Sequence, residues 1–275
     1  MSLFDNTATN QQEMMDNIAE TLKELQAKDY TNADEKIVNL VKTAQNGNPD
    51  ALFLCAQAFQ LGAGVAKDEE FYLRHYNASA HGGNQKAIKF LIKLYTDGGV
   101  APADSDKALY WKEQLALSGD MEAVQELIVY HSIMGDADSA EKIMLFTQKA
   151  AELGDVASAI RMAQISMENG DMAQFVRYTE LAAENGFAEA QYNLGIIYYA
   201  GEICQPDGAK AFHWTKKAAQ AGLGNAMFNL AVMYAEGVGC EKSPEMSAHW
   251  LEKAANCDDE SVRQMVRQVM EESAE

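Results

Sequence analysis

Large apolar residues recur three and four positions apart along most of the chain, the spacing that lays one stripe down the side of an α-helix. The stripes come in pairs, separated by short breaks that carry Gly, Pro or Asp. One pair repeats almost residue for residue. Ala190 to Gly201 reads AQYNLGIIYYAG, and Ala226 to Gly237, 36 positions later, reads AMFNLAVMYAEG. His213-Trp214 and Lys217-Ala218-Ala219 are matched at the same offset by His249-Trp250 and Lys253-Ala254-Ala255. The pattern predicts two helices per repeat: helix A, for example from about Ala188 to Ala200, and helix B, for example from about Gly208 to Ala221.

Carried backwards, the frame places a glycine at each repeat start, Gly47, Gly83, Gly119, Gly154, Gly186 and Gly222, with spacings of 36, 36, 35, 32 and 36. Three residues before each start stand Ala44, Ala80, Ala116, Ala151, Ala183 and Ala219. Trp111, Trp214 and Trp250 share one register on helix B, which His75, Phe146 and Tyr178 occupy in the other repeats. On helix A, Cys55, Leu91, Leu127, Met162, Leu194 and Leu230 share a position. The next residue is small in four repeats (Ala56, Ala163, Gly195, Ala231) and Ile92 or Ile128 in the others. Gly62, Gly98, Gly201 and Gly237 fall where a left-handed residue ends helix A.

One hairpin cannot bury its apolar face alone, so the repeats must stack. The expected fold is all-α, an α/α superhelix or solenoid of stacked antiparallel helical hairpins. Residues 1–10 read as a tail that is disordered or added in cloning, and 11–275 as a single solenoid. Within it, 11–46 form an entry hairpin, 47–256 six repeats and 257–275 a C-terminal capping helix with a charged face.

The segments YNLGIIYYAGE, FNLAVMYAEGVG, HWTKKAAQAG and HWLEKAA resemble Sel-1-like repeats, longer-looped relatives of tetratricopeptide repeats. The resemblance is specific over residues 186–256 and fair over 47–118. Repeats 3 and 4 depart from it: they lack the Gly-x-Gly loop and place His131 and Ser166 where Tyr198 and Tyr234 sit. The resemblance implies a right-handed superhelix with A helices lining its concave face, and an adaptor or scaffold role in protein assemblies.

Composition narrows the function. Hydrophobic residues make up 48%, enough for a substantial core, and the net charge is −19. Nucleic-acid binding calls for clustered cations, so this chain fits neither nucleic acid nor anionic membranes. No apolar run approaches the ~20 residues of a membrane span, and residues 1–10 show no signal-peptide pattern. Cys55, Cys204, Cys240 and Cys257 have no zinc-type spacing and suit a reducing compartment. The expected location is the cytoplasm, or the periplasm had a signal peptide been removed.

Chemistry is sparse. Ser139-Ala140-Glu141-Lys142 fits S-x-x-K without the companion motifs of penicillin-recognising enzymes. His213 and His249 share a register, as a duplicated repeat would give, and no carboxylate or cysteine stands four positions on from either. Cys204 and Cys240 share a loop register and are read as free thiols. No catalytic residue, metal or cofactor is expected. A β-lactam or peptidoglycan-like hydrolase is the enzymatic alternative, and a self-associating scaffold, the oligomeric state being open, is the structural one.

The expected activity is binding of a protein or peptide along the A helices. Lys86, Lys89 and Lys93 share one helix face and would receive an acidic segment or a C-terminal carboxylate, unless they are simply solvated. Tyr192, Tyr199 and Phe228 would form an aromatic floor, with Ile196 and Val232 on the same face. Asn193 and Asn229 would bond a peptide backbone or pack across the hairpin. Arg263 and Arg267 extend the face onto the cap. The expected ligand is a peptide with its acidic part near repeat 2 and its apolar part near repeats 5 and 6.

Overall fold

The computed structural model describes residues 35–63 and 65–272. Among them are fourteen helices and no strand. The tail 1–10 and the first part of the entry hairpin 11–46 lie outside the described residues, and α1 (Glu35–Ala44) falls where that hairpin's second helix was expected. By their contacts the residues form two compact units, one up to Met134 and one from Gly135.

The N-terminal unit holds α1, α2 (Pro49–Leu61), α3 (Glu69–His81), α4 (Gln85–Asp97), α5 (Ser105–Leu117) and α6 (Met121–Met134). Here α2 with α3 and α4 with α5 are the hairpins of repeats 1 and 2, and each helix packs on the next. The C-terminal unit holds α7 (Ser139–Glu152), α8 (Val156–Glu168), α9 (Met172–Glu184), α10 (Ala188–Ala200), α11 (Gly208–Gln220), α12 (Gly224–Glu236), α13 (Pro244–Ala255) and α14 (Glu260–Glu272). Its hairpins are α8 with α9, α10 with α11 and α12 with α13, and α14 closes the row against α12 and α13. Both units are all-α solenoid segments.

The repeat registers are the core. Ala44, Ala80, Ala116, Ala151, Ala183 and Ala219 are all buried, as are Cys55, Leu91, Leu127, Met162, Leu194 and Leu230. Burial pushes the Cys55 thiol up to about 12, so it packs as a small apolar group. The aromatic register of helix B is buried throughout except at Trp214, which is half-buried. Ala56, Ala163, Gly195 and Ala231 are buried where helices approach closely, while Ile92 and Ile128, the larger residues at this position, are half-buried.

Backbone chemistry sets the helix ends. Asp68, Asp104, Asp207 and Ser243 cap the B helices of repeats 1, 2, 5 and 6, each accepting from a backbone N–H three residues on. The repeat-start glycines named above all have positive φ, closing each B helix before the next A helix begins. Gly62, Gly201 and Gly237 adopt the left-handed conformation expected of them. Gly98 does not: its φ of 78° is joined to a ψ of −173°, and Gly99 follows at φ 145°, so a glycine pair makes this exit in extended form. The Gly-x-Gly loop has its own reason. A Cβ on Gly239 would lie 1.9 Å from the Gly208 carbonyl oxygen, so the loop of repeat 6 rests directly on the start of α11.

Candidate functional site

The outward face of the A helices differs between the units. In the N-terminal unit Lys86, Lys89 and Lys93 are exposed along α4. Lys89 is not free: its Nζ lies 2.7 Å from Asp120 Oδ2. Asp120 also caps α6, its Oδ1 accepting from the Ala123 N–H at 3.0 Å. Hydrogen bonding to Asp120 holds the lysine above its usual range, and the same lysine with the Ala123 N–H holds the carboxylate below its own. Lys112 pairs with Glu126 at 2.7 Å. These groups, with Lys93, Asp97 and Glu122, surround an open cavity of about 370 Å³ between α4, α5 and α6. Three cations there face four carboxylates, so the lysine stripe stands beside a carboxylate-rich wall.

In the C-terminal unit the corresponding face is apolar. Ile160 (37% exposed) and Met167 (52%) project from α8, and Ile196 (43%) and Tyr199 (56%) from α10. Ile196 and Tyr199 line a cavity of about 250 Å³ together with Gly195 of α10, Thr215 of α11, and Phe228, Asn229, Val232 and Met233 of α12. None of these eight residues is charged. Three of the expected site residues, Tyr199, Phe228 and Asn229, are thus brought together.

The others are placed differently. Tyr192 packs half-buried against the core around Leu230 and Trp250, away from that cavity. Asn193 is exposed and Asn229 half-buried. Among the described residues neither amide has a hydrogen-bond partner. Arg263 is occupied locally, paired with Glu260 and donating to the Cys257 carbonyl, which ties the start of α14 to the preceding turn. Arg267 stays 65% exposed, 4.0 Å from Glu260.

Two contributors to this geometry escaped the sequence reading. Thr215 reads as an ordinary helix B residue, and Gly195 as a packing residue like the alanines of its register. The available signal was a glycine inside helix A where sister repeats carry Ala56, Ala163 and Ala231. Asp120 was likewise missed as the partner of Lys89, although it precedes Met121 as an N-cap should.

The remaining chemical candidates are tied into the scaffold or stand apart. The Ser139 hydroxyl, buried, donates to Asp136 Oδ1 at 2.6 Å and fixes the turn before α7. His213 and His249 are exposed, edge-on to Trp214 and Trp250. Among the described residues no three His, Cys, Asp or Glu side chains converge as a metal would require. All four cysteines are free thiols. No helix among the described residues is long and apolar enough to cross a membrane.

Comparison with known proteins agrees with the repeat frame. The Sel1 repeat family matches residues 49–84, 93–120, 188–223 and 224–259. The gap between the second and third matches holds repeats 3 and 4, the two shorter ones. No curated protein matches the chain. Among solved structures, a Sel1 repeat protein from Oxalobacter formigenes is 22% identical, over 96% of this chain and 89% of that one, with a TM-score of 0.44. A protective antigen present in uropathogenic Escherichia coli strains, displaying an SLR fold, is 22% identical over 86% of this chain, with a TM-score of 0.44. The match takes in 52% of the antigen's length, so this chain spans about half of it. An immunity protein from Pseudomonas aeruginosa is 20% identical over 80% of each chain, with a TM-score of 0.29. The four family matches lie on hairpins whose glycine, alanine and aromatic registers build the core, and the chain is a Sel1-like repeat protein.

Proposed function

We propose that the chain is a protein-interaction scaffold and that its principal contact surface is the apolar A-helix face of the C-terminal unit. Sel1 repeats as a family mediate protein–protein interaction, which supports the coarse reading. The observation that supports the finer one is that Ile196 and Tyr199, 43% and 56% exposed, line an uncharged cavity, with Ile160 and Met167 also exposed on α8 of the preceding repeat. Large apolar side chains left exposed around a cavity mark an interaction site, and aromatic residues are the usual anchors of such sites.

The charged face around α4 has a subordinate part in this proposal. Lys86 and Lys93 are available to steer a partner, while Lys89 is held by Asp120. The chain binds rather than catalyses, and its four free thiols fit a reducing compartment such as the cytoplasm. The test is affinity capture from native lysate with three forms of the protein: unaltered, Tyr199→Glu with Phe228→Glu, and Lys86→Glu with Lys93→Glu. A partner lost from the first double variant and kept by the second supports the proposal. A partner kept by the first and lost by the second would move the contact surface to α4.

A further inference from the structure

The cavity between α10, α11 and α12 has a polar floor that a plain apolar contact would leave unused. Thr179 and Thr215 hold the same position in successive B helices. The Thr179 hydroxyl donates to the Phe175 carbonyl of its own helix at 2.7 Å, the usual resting place for a helical threonine. Thr215 makes no such bond. Its hydroxyl is turned toward α10, where a Cβ on Gly195 would come within 2.3 Å of Oγ1. In the preceding repeat that position is the buried Ala163. A glycine inside a helix is unfavourable relative to alanine, and here its effect is to open room for the Thr215 hydroxyl.

Thr215 is 3% exposed and lines the cavity, yet its hydroxyl has no hydrogen-bond partner among the described residues. The hydroxyl is open to the cavity, so an entering polar group can pair with it. A main chain lying across the A helices does not reach so deep, whereas a side chain entering the cavity does. At about 250 Å³ the space falls below the roughly 300–1,000 Å³ of small-molecule pockets. It exceeds the about 150 Å³ that admits a benzene ring. Tyr199 and Phe228 offer aromatic walls, and the Asn229 amide is a second unused polar group. The absence of charge from the lining selects a neutral occupant, so a phosphorylated ring would find no cation here.

Resting on the reading of this face as a protein-binding surface, we propose that the cavity receives one tyrosine side chain of the partner. Its ring packs between Tyr199 and Phe228, and its hydroxyl pairs with Thr215. A purely aliphatic or phenyl side chain would fill the walls and leave Thr215 unpaired, the situation in which a site discriminates against the analogue lacking the hydroxyl.

The test is a methyl-detected NMR titration of the full chain with N-acetyl-tyrosinamide and N-acetyl-phenylalaninamide. The tyrosine derivative should shift the Ile196 and Val232 methyls saturably and bind about fivefold or more tightly than the phenylalanine derivative, the worth of one hydrogen bond. Thr215→Val, which keeps the shape and removes an unpartnered hydroxyl, should leave thermal unfolding unchanged and abolish that preference. Gly195→Ala should weaken both ligands by driving Thr215 out of its position. Equal binding of the two derivatives, or no saturable shift with either, would overturn the tyrosine assignment. A captured partner that is lost on Tyr199→Glu with Phe228→Glu but binds Thr215→Val unchanged would also overturn it, while leaving the protein-binding reading in place.

Discussion

Lys93 of α4 corresponds by register to Ile196 of α10 and Val232 of α12, and Lys89 corresponds to Tyr192 and Phe228. The inward positions of the same helices hardly change: Leu91, Leu194 and Leu230 are each 0% exposed. The two units therefore share one scaffold and differ on the surface it presents. The N-terminal unit carries mixed charge there beside apolar residues such as Phe53, half-buried on α2, and Val129, 58% exposed on α6. The C-terminal unit carries Ile160, Met167, Ile196 and Tyr199 exposed there, with Gln164 and Glu189 on the same face. Fold in this chain resides in positions that repeat, and recognition in positions that do not.

The largest effects should come from the shared scaffold and be alike in both units. Leu91→Ala and Leu230→Ala should each lower unfolding free energy by about 2–5 kcal/mol, read by chemical denaturation. A cost well below that range in one unit alone would break the equivalence. Next in size is the contrast in recognition. Because the proposed contact is apolar, raising salt from 50 to 500 mM should change partner affinity by less than about threefold, since screening acts on exposed charges. Isothermal titration should also show a negative heat-capacity change. A tenfold or greater loss with salt would assign recognition to the lysine face instead.

Smaller effects separate the two tasks of Asp120 in the N-terminal unit. Asp120→Ala removes both cap and ion pair and should cost about 1–2 kcal/mol. Asp120→Asn keeps the cap, since asparagine caps as well as aspartate, and should cost under about 1 kcal/mol, the range for exposed pairs. The smallest expected effect is the pH dependence of that second difference. The carboxylate is held below its ordinary value of 3.8, so its contribution is present above that value and fades as pH falls through the lowered one. The lysine is held above 10.5, so its contribution is present below that value and fades as pH rises through the raised one. The stability gap between the unaltered protein and Asp120→Asn should be level from about pH 5 to 9 and shrink below about pH 4. A gap that grows on acidification would contradict the pairing.

Most of the hairpin frame was legible in the sequence because a repeat tests itself. A buried alanine three residues before a positive-φ glycine, met six times, leaves little freedom in register. The bounds of α10 and the start of α11 follow from the same comparison. The site was legible only in part. Tyr199, Phe228 and Asn229 could be placed on one face by helical spacing, but spacing does not show which way a neighbouring helix turns its hydroxyl. Thr215 and Thr179 look alike in sequence. Only the missing Cβ at Gly195, against Ala163, separates them, and that effect acts between helices. The surroundings of the lysine stripe were hidden for a related reason: α4 shows three like charges in a row, and the carboxylate that engages Lys89 is Asp120, at the start of α6.

The central claim is that a partner sits on the apolar face of α10 and α12. Site-specific photocrosslinking tests it most directly, with a benzophenone amino acid placed at Tyr199, at Lys93 or at the exposed Glu252. The account predicts one partner crosslinked strongly from position 199, weakly or not at all from 93, and not from 252. Crosslinking of that partner from 93 or 252 with none from 199 would contradict it.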